Sequence, residues 1–582
     1  MMTFIFFASL AAFLIFAPKK SFACMTILVG KRASATGEVL VAHNEDAPGR
    51  FIMKTHLVHP KHRHPGTKIK FEPYCAELEL PDFSPSLFWS EAKTFSSDPS
   101  DSAFCDFYVN GNGVVICSNN CADSKEDKPE LFNGGIGYGL RRLVAEQAKS
   151  AKDALEIACD LVEKYGYASS GRSYAFADKD EIFVMQIVNG KHYTIARVPD
   201  DEVAVIPNHY TIRFLEENSR GYENLISYAK QRGWYNDDDQ DSRFDFSRVY
   251  QSEETYGLEK NTYRHVKAFE ILLDMDLSDL LKKQWHPLPF SIKPAHAVEI
   301  ETLKKILRAH NHEASQHFDK PIGICNCDTL ESTIVQIRHE PDRIILRKAL
   351  GRPCNSPYLV WYFGMINEFE SSEADDVEKA LREHFDTKPE DMDYKYSSWY
   401  RSMEIQAICD IFHNEKSKFV EEKIKIFEDE IENKIKSLDP QIELRLRSEP
   451  DVARAMMDGA VKSCAEEAEN LYKNLSAELG IIHGEALTSV RDGESFSVRI
   501  QSDSIKEKLD LEKTICGPSY EDKDLWSRCM EVYSDEKYIT INFYPGKWYK
   551  KAVHCFTDLY MELTDKVGQK YAGIVKISCA NI

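Results

Sequence analysis

The sequence lacks an excess of positive charge. Its 582 residues include 73 lysines and arginines against 94 aspartates and glutamates, and the formal net charge is −21. A nucleic-acid-binding protein needs a concentrated basic surface to displace counterions from the phosphates. The composition therefore argues against a nucleic-acid partner and favours an acidic, globular protein.

Long apolar runs are also missing, except for one near the N-terminus. Residues 4–17 form a predominantly apolar run of fourteen, which is shorter than the roughly 20 residues of a transmembrane helix. The tripeptide Ser-Phe-Ala at 21–23 then places small residues at positions −3 and −1 of a cleavage site before Cys24. Residues 1–23 are thus predicted to be a signal peptide or propeptide, although Lys19 and Lys20 follow the apolar run instead of preceding it.

This leader predicts a location outside the cytoplasm, either secreted or periplasmic or luminal. We expect no stable membrane span after processing, because no other segment is apolar enough to cross a bilayer. A retained N-terminal anchor is the alternative interpretation.

Complete metal and nucleotide fingerprints are absent from the sequence. The segment DDDQDS at 237–242 places carboxylates at calcium-loop positions 1, 3 and 5, but Ser242 and Arg248 occupy the glycine and bidentate-glutamate positions. Cys325 and Cys327 offer two thiols, whereas a structural zinc site needs four ligands. We interpret them as core or disulfide cysteines. GGIGYG lacks the acidic partner of a dinucleotide site, so no cofactor and no metal are predicted.

The sequence does contain a succession of strand-like segments. CMTILVG and EVLVAHNED flank a turn-rich connector and predict a hairpin. If the turn is centred near Ser34, antiparallel pairing places residue 24 opposite residue 44. FCDFYVNGNGVVICSNN predicts two strands around an Asn-Gly turn, residues 135–165 predict helices, and residues 172–199 return to strands.

The chain is too long for a single hydrophobic core. Its C-terminal third differs from the rest in the pattern of charged and apolar residues. Residues 413–479 are charged and helical in pattern, whereas the segments SFSVRIQ and YITINFYPG beyond them resemble strands. We predict a main domain over 24–412, a helical extension over 413–479, and a small mixed α/β unit of unknown role over 480–582.

Cys24 would become the N-terminal residue if the leader were cleaved after Ala23. Its α-amine, with an ordinary pKa of about 7.7–8.0, would then lie beside its own thiol, so that one residue supplies nucleophile and base. Such a group needs a carboxylate or amide to hold the amine, which Asp46 and Asn44 could supply, and donors that stabilise an oxyanion. A structural or lipid-bearing Cys24 is the alternative.

Several segments together resemble a known family. They are CMTILVGKRASATGEVLVAHNED, NGNGVVICSNN, the stretch from GGIGYGLRRL to EIFVMQI, IARVPDDEVAVIPNHYTI and ALGRPCNSPYLVWYFGM. In this order, from Cys24 to about residue 410, they resemble the secreted C69 dipeptidases, relatives of the secernins within the N-terminal nucleophile (Ntn) hydrolases. The resemblance implies an α+β fold, namely a four-layer αββα sandwich of mainly antiparallel sheets. It also implies hydrolysis of dipeptides or short peptides through a Cys24 acyl-enzyme.

The resemblance assigns catalytic roles around the first hairpin. Cys24 matches the nucleophile, and Asp46 matches the aspartate that holds the freed amine. His43 stands where many relatives have arginine, and Asn44 follows it as in the family. A second basic residue that relatives use later in the chain is not assigned to a position.

Two asparagines resemble the oxyanion-stabilising residues of the family. Asn120 matches the first, with Asn119 as the alternative under a one-residue shift, and Asn208 in IPNHY matches the second. Met25 replaces the usual threonine and Thr36 the usual aspartate, which affects the expected substrate preference more than the chemistry.

Two other functions are compatible with the same residues. An acylase of the penicillin-V-acylase or bile-salt-hydrolase type would share the Cys24 chemistry and differ in its pocket. A catalytically inactive, secernin-like binding protein would keep the fold without turnover. The sequence leaves open whether the chain forms a homo-oligomer.

Overall fold

The structure, a computed structural model, describes most of the chain after the predicted leader. The described residues are 24–47, 52–72, 74–93, 103–121, 124–215, 219–236, 243–282, 288–311, 322–368, 398–411, 413–487, 495–517, 527–544 and 558–576. The predicted signal peptide or propeptide at 1–23 lies outside the described residues.

One seven-stranded antiparallel sheet carries the predicted N-terminal hairpin at its centre. In spatial order its strands are Ser291–Ile292 (β15), Val203–Ile206 (β14), Met25–Val29 (β1), Leu40–Asp46 (β2), Thr329–Gln336 (β16), Ile345–Leu350 (β17) and Leu359–Tyr362 (β18). Both β1 and β2 are buried at every position. A strand covered on both faces has no solvent-facing positions, which explains the continuous apolar sequence of β1.

A second seven-stranded antiparallel sheet lies against the first. In spatial order its strands are Tyr193–Arg197 (β13), Ile182–Gly190 (β12), Tyr167–Ala177 (β11), Val115–Asn120 (β10), Ala103–Asn110 (β9), Leu87–Lys93 (β8) and Ile52–Val58 (β3). Two short ribbons accompany it: Lys61–His62 (β4) with Phe83–Ser84 (β7), and Lys68–Ile69 (β5) with Leu78–Glu79 (β6). The predicted Asn-Gly turn connects β9 to β10.

The helices divide between the two sheets and a C-terminal hairpin. The α-helices in the described residues are Gly139–Gln147 (α1), Ala151–Tyr165 (α2), Tyr222–Gln231 (α3), Phe246–Tyr250 (α4), Glu259–Leu273 (α5), Ile300–Leu307 (α6), Ser398–Ile411 (α7), His413–Leu446 (α8) and Pro450–Leu479 (α9). Short 3₁₀ helices are at Ser278–Lys282, Pro341–Arg343, Phe363–Glu368 and Ser502–Ser504. Each of these described helices is too short or too polar to span a bilayer.

Side-chain alternation along the strands produces the layers. Leu28 of β1 packs between the sheets with Val115 and Ala175 of the second sheet, whereas its neighbour Ile27 packs outward with Phe269 of α5. Successive strand residues point to opposite faces, so every second residue of β1 contributes to a different layer.

The outer face of the second sheet is covered in the same way. Tyr174 and Phe176 of β11 pack with Leu143 of α1 and Ala158 of α2. The order is therefore helices, sheet, sheet, helices, and the predicted α+β, four-layer αββα architecture is confirmed.

The helical hairpin continues the core between the sheets instead of standing apart. Ile431 of α8 and Met457 of α9 belong to the same hydrophobic cluster as Val360 of β18, and the Val360 amide donates to Cys464 Sγ at 3.4 Å. Helix α7 precedes the predicted boundary at residue 412 and packs against both α8 and α9.

The C-terminal unit differs from the predicted mixed α/β unit, because its strands close into a barrel. Around the barrel they are Ile482–Ala486 (β19), Phe496–Gln501 (β20), Tyr538–Phe543 (β23), Ser527–Ser534 (β22), Ile515–Gly517 (β21), Asp558–Thr564 (β24) and Lys570–Lys576 (β25). No α-helix occurs in the described parts of 482–576. The helical pattern ends at Gly480, which adopts a positive φ of 66° as helix C-caps require, and β20 and β23 then alternate with a period of two.

The turn between β9 and β10 generates a prediction about stability. Asn110 is fully buried; its Nδ2 donates to the carbonyls of Ala145 and Ala148 at 3.0 and 2.8 Å, and its Oδ1 accepts from two turn amides. Asn110→Ala should lower the free energy of unfolding by about 2–4 kcal/mol, because it leaves buried amides and carbonyls unsatisfied. Urea denaturation measures this change.

The matched control for this prediction is the second asparagine of the turn. Asn112 is exposed, and among the described residues its side chain donates to the Ala148 carbonyl alone. Asn112→Ala should cost about 1 kcal/mol or less. Equal losses in the two variants would contradict the assignment of Asn110 as the link between the turn and α1.

Candidate active site

The register of the first hairpin determines which side chains surround Cys24. Met25 pairs with Asn44 and Thr26 with His43, so Cys24 lies opposite Glu45, one residue away from the expected pairing with residue 44. The connector has ten residues between Val29 and Leu40, which centres the turn after Ser34 instead of on it.

The connector is held by a neighbouring loop. The Arg32 amide donates to the Asp200 carbonyl at 2.7 Å. A side chain at Gly30 would approach that carbonyl to 2.4 Å, so only glycine permits this close contact. The packing of the two loops therefore fixes the register of the hairpin.

A continuous hydrogen-bonded chain starts at the Cys24 thiol. Cys24 Sγ donates to Glu45 Oε1 at 3.7 Å, and Glu45 Oε2 lies 3.2 Å from His43 Nε2. His43 Nδ1 lies 2.8 Å from Thr26 Oγ1, and Thr26 donates its hydroxyl proton to Asn119 Oδ1 at 2.5 Å. All five residues are buried in the layer between the sheets.

The proton positions in this chain follow from its chemistry. Because Thr26 gives its only hydroxyl proton to Asn119, it must accept from His43 Nδ1–H, which leaves His43 Nε2 as an acceptor. Burial lowers the pKa of His43 to about 4, so the imidazole is neutral at neutral pH. Burial raises the pKa of Glu45 to about 8, against the nearby Arg141 charge. A protonated Glu45 can therefore donate to His43 while it accepts from the Cys24 thiol.

Cys24 itself is buried and held in its protonated form. Burial raises the pKa of its thiol above the ordinary range, and the charges of Glu45 and Asp46 raise it further. Its Sγ also lies 3.5 Å from the Asp46 carbonyl oxygen. In the chain as translated, the backbone nitrogen of Cys24 is in a peptide bond to Ala23 and cannot act as a base.

Asp46 is the second carboxyl whose charge acts on the Cys24 thiol. Its Oδ2 accepts from Asn326 Nδ2 at 2.6 Å, while its buried Oδ1 accepts no hydrogen bond from the described residues. Burial raises the pKa of Asp46 to about 7, and the Arg264 charge and the Asn326 hydrogen bond oppose this rise. One oxygen of the Asp46 carboxyl thus accepts no hydrogen bond from the described residues. A positive charge placed beside the carboxyl would lower the pKa of Asp46.

Arg264 of α5 connects Cys24 to the asparagines. Its Nη1 donates to the Cys24 carbonyl oxygen at 2.9 Å, and its Nη2 donates to Asn208 Oδ1 at 2.8 Å and to Asn261 Oδ1 at 2.6 Å. Asn208 Nδ2 in turn donates to the Asn120 carbonyl at 2.5 Å. The guanidinium is fully buried.

The structure brings most of the predicted residues together, with one exception. Cys24, His43 and Asp46 share one site, and Asn208 with Asn120 adjoins it through Arg264. Asn44 instead points to the opposite face of β2, where its Nδ2 donates to the Leu307 and Ile324 carbonyls, both at 3.0 Å. The expected contact of Asn44 with the Cys24 amine is therefore not supported, because alternate strand residues face opposite ways.

The two candidate oxyanion asparagines on β10 occupy different environments. Both polar atoms of the Asn119 side-chain amide are hydrogen-bonded. Its Oδ1 accepts from the Thr26 hydroxyl, and its Nδ2 donates to the Ile206 carbonyl at 3.0 Å. Asn120 is less buried, and its side-chain oxygen has no hydrogen-bond partner among the described residues. Asn119 therefore belongs to the chain that holds His43, and Asn120 is the less buried of the two candidates.

Sequence reasoning missed Glu45, Arg264, Asn261 and Asn326. Glu45 stands between the chosen residues in AHNED, and only the one-residue register error hid it. Arg264 and Asn261 are three residues apart on the buried face of α5, and polar residues on such a face were an available signal. Asn326 is 280 residues from Asp46 and gives no local signal.

Comparison with known proteins identifies the family of this site. The model of peptidase family C69 matches residues 23–345, more than half of the chain. The chain belongs to peptidase family C69. It is accordingly a peptide-bond hydrolase, and the matched range contains every residue of the site described above.

Two relatives of this C69 peptidase are named as probable dipeptidases. A probable dipeptidase from Salmonella dublin is 25% identical over 368 residues, which cover 60% of this chain and 82% of the relative. A probable dipeptidase from Latilactobacillus sakei is 24% identical over 413 residues, with 65% and 79% covered. Among solved structures, a mutant conjugated bile acid hydrolase from Clostridium perfringens aligns with 60% of this C69 peptidase and 94% of its own chain, at TM-score 0.33 and 11% identity.

The raised pKa of Glu45 predicts a specific pH dependence of stability in this C69 peptidase. The ordinary value is 4.5 and the folded value is about 8, so between them the folded state binds more protons and stability falls as pH rises, by about 1.4 kcal/mol per pH unit for one group. Glu45→Gln mimics the protonated carboxyl and should lessen this fall. Urea unfolding at several values between about pH 5 and pH 8 measures it.

A control variant separates this effect from general changes in charge. Glu536 is exposed on the barrel, and Glu536→Gln removes the same formal charge. Its stability should follow the unmodified chain across the pH series. If Glu45→Gln also followed the unmodified chain, Glu45 would not be the group that holds a proton in the folded state.

Proposed function

We propose that the chain is a cysteine-type Ntn dipeptidase in which removal of residues 1–23 frees the α-amine of Cys24. The observation that carries this proposal is the buried Asp46 carboxyl, whose charge acts on the Cys24 thiol and whose Oδ1 accepts no hydrogen bond from the described residues. A freed α-ammonium would supply a donor for this oxygen and a second positive charge besides that of Arg264, which already lowers the pKa of Asp46. The names of the C69 relatives support dipeptides or short peptides as substrates.

In the first step the amine of Cys24 accepts the thiol proton, and the thiolate attacks the peptide carbonyl. Asp46 holds the resulting ammonium, and the side-chain amides of Asn208 and Asn120 stabilise the tetrahedral oxyanion. The C–N bond then breaks as the leaving amine takes the proton from the ammonium. A thioester between the substrate acyl group and Cys24 remains.

In the second step water attacks the thioester and gives a proton to the Cys24 amine. The C–S bond breaks, the carboxylic acid product leaves, and the thiolate recovers its proton. Glu45 stays protonated throughout and orients the thiol, while His43 and Thr26 orient Glu45. Arg264 holds the Cys24 carbonyl and Asn208 in place, so Glu45 and Arg264 are positioning residues.

We also propose that residues 1–23 direct export, so that the mature enzyme acts outside the cytoplasm. The apolar run and the small residues before Cys24 support this proposal. Intact mass and N-terminal sequencing of the protein from an exporting host test it. A mature chain that starts at an unmodified Cys24 is expected, whereas a chain that starts at Met1 or carries a lipid on Cys24 would contradict the proposal.

Replacement of the nucleophile tests the mechanism directly. Cys24→Ala should abolish dipeptide hydrolysis while the chain still folds, because the side chain contributes a thiol contact and little packing volume. The control is Cys516→Ala, which removes a fully buried thiol from the barrel and should leave turnover unchanged. Hydrolysis that persists in Cys24→Ala would refute the mechanism.

The role of Asp46 predicts that its replacement lowers the catalytic rate while the chain still folds. Asp46→Asn keeps an oxygen for Asn326 but removes the charge that holds the ammonium, and we expect kcat to fall about a hundredfold or more. The control is Asp565→Asn, a fully buried aspartate of the barrel. Unchanged kcat in Asp46→Asn would show that another group holds the amine.

A substrate panel separates the dipeptidase from the acylase alternative. Free dipeptides and N-acyl amides, assayed at equal concentrations, should differ in kcat/KM in favour of the dipeptides. Preference for N-acyl amides would identify an acylase. A thiol at Cys24 that reacts with alkylating reagents without turnover of any amide would identify a binding protein.

A further inference from the structure

We propose that His310, Cys325 and Cys354 form a binding site for a zinc ion behind the candidate active site. The ligand atoms of the three residues lie within 4.8 Å of one another. Both cysteines are buried, and His310 is half-buried. Imidazole and thiolate are the donor types that bind zinc, at about 2.0–2.1 Å and 2.3 Å.

The fold holds the three ligands in place through the backbone. The Cys325 amide donates to the Ala309 carbonyl at 3.0 Å, which places Cys325 directly beside the segment that carries His310. A side chain at Gly323 would meet the His310 Cα at 3.1 Å, so the loop lies against that segment without space for a larger residue.

The third ligand comes from a separate turn. The Asn355 amide donates to the Arg352 carbonyl at 3.0 Å, and this turn presents Cys354. Arg308 Nε donates to the Pro353 carbonyl at 2.7 Å, which connects the turn to the end of α6. Three backbone segments thus converge on one point.

The distances suit a shared ion better than a covalent bond between the cysteines. The two Sγ atoms are 3.5 Å apart, whereas a disulfide needs about 2.05 Å. Two thiolates at about 2.3 Å from one tetrahedral zinc are about 3.8 Å apart. His310 already hydrogen-bonds Cys354, so its ring faces the thiols.

The charges around the cluster balance when zinc is bound. Each cysteine releases its thiol proton to solvent, and two thiolates with neutral imidazole neutralise one Zn²⁺. The nearby guanidiniums are paired with carboxylates, Arg352 with Asp410 at 2.5 Å and Arg308 with Glu428 at 2.6 Å. The zinc ion with its two thiolates would therefore be neutral as a unit, and a fourth coordination position remains for water or another donor.

The cluster is connected to the candidate active site by one residue. Asn326 follows Cys325 in sequence and donates to Asp46 Oδ2, and Asn44 holds the same loop through the Ile324 carbonyl. A zinc ion on Cys325 would fix the position of Asn326 and thereby of Asp46. This effect on activity rests on the proposed function, whereas the zinc site itself does not.

Metal content of the purified full-length protein tests the site. After equilibration with zinc and dialysis, we expect about one zinc per chain by mass spectrometric metal analysis. Cys325→Ser, Cys354→Ser and His310→Ala should each lower this content severalfold. The matched control is Cys327→Ser, which changes a thiol two residues from Cys325 that contacts Asp328 instead, and it should retain the zinc.

Cobalt substitution provides a readout that does not depend on variants. Co²⁺ added to the unmodified protein should give sulfur-to-cobalt charge-transfer absorption, which zinc then displaces. Absence of this absorption together with no retained zinc would overturn the proposal. An intact mass two hydrogens lighter, with a Cys325–Cys354 disulfide in the peptide map, would also overturn it.

Cys24→Ala distinguishes this proposal from the proposed function. This variant should keep its zinc although it lacks turnover, because Cys24 is not a ligand. A protein that binds one zinc through these residues but hydrolyses no peptide would support the site and contradict the dipeptidase. A protein that hydrolyses peptides but binds no zinc would support the dipeptidase and contradict the zinc site.

Discussion

The pairing register of the β1–β2 hairpin is the constraint on which the candidate site depends. With Met25 opposite Asn44, Cys24 and Glu45 point together into the layer between the sheets, and Asn44 points outward. A slip of one residue would exchange the two sets of side chains, so that Asn44 would enter the site and Glu45 would leave the thiol. The close contact of Gly30 with the Asp200 loop holds this register.

Burial is the second determinant of the chemistry. Cys24, His43, Glu45 and Asp46 are all removed from water, so each favours its neutral form, and pKa values of about 8 for Glu45 and 7 for Asp46 follow. The result is a site that holds protons in the intact chain. A positive charge introduced at the Cys24 nitrogen would change this balance, because the Asp46 charge acts on Cys24 and its Oδ1 accepts no hydrogen bond from the described residues.

Particular residues show how far sequence reasoning extends. The MTILV run, the Asn-Gly turn and the AHNED segment were sufficient for the hairpins and the neighbourhood of Cys24, whereas the αββα layers were implied by the resemblance to the C69 dipeptidases. Asn44 was misplaced because periodicity predicts a strand without its register. Arg264 was not assigned, because it is 240 residues from Cys24 and its polar side chain on the buried face of α5 was not recognised as a signal. Cys325 was considered with Cys327, whereas its neighbour in space is Cys354.

The sequence by itself determined the class of the fold and the family, and it singled out Cys24 as the candidate nucleophile. These follow from local alternation, turn residues and motif order, which act over a few positions of the chain. Only the tertiary structure decided which atoms meet: Glu45 with Cys24, Asn326 with Asp46, Arg264 with Asn208, and Cys325 with Cys354. Such contacts depend on strand register and on loop packing between distant segments, and neither leaves a periodic signal in the sequence.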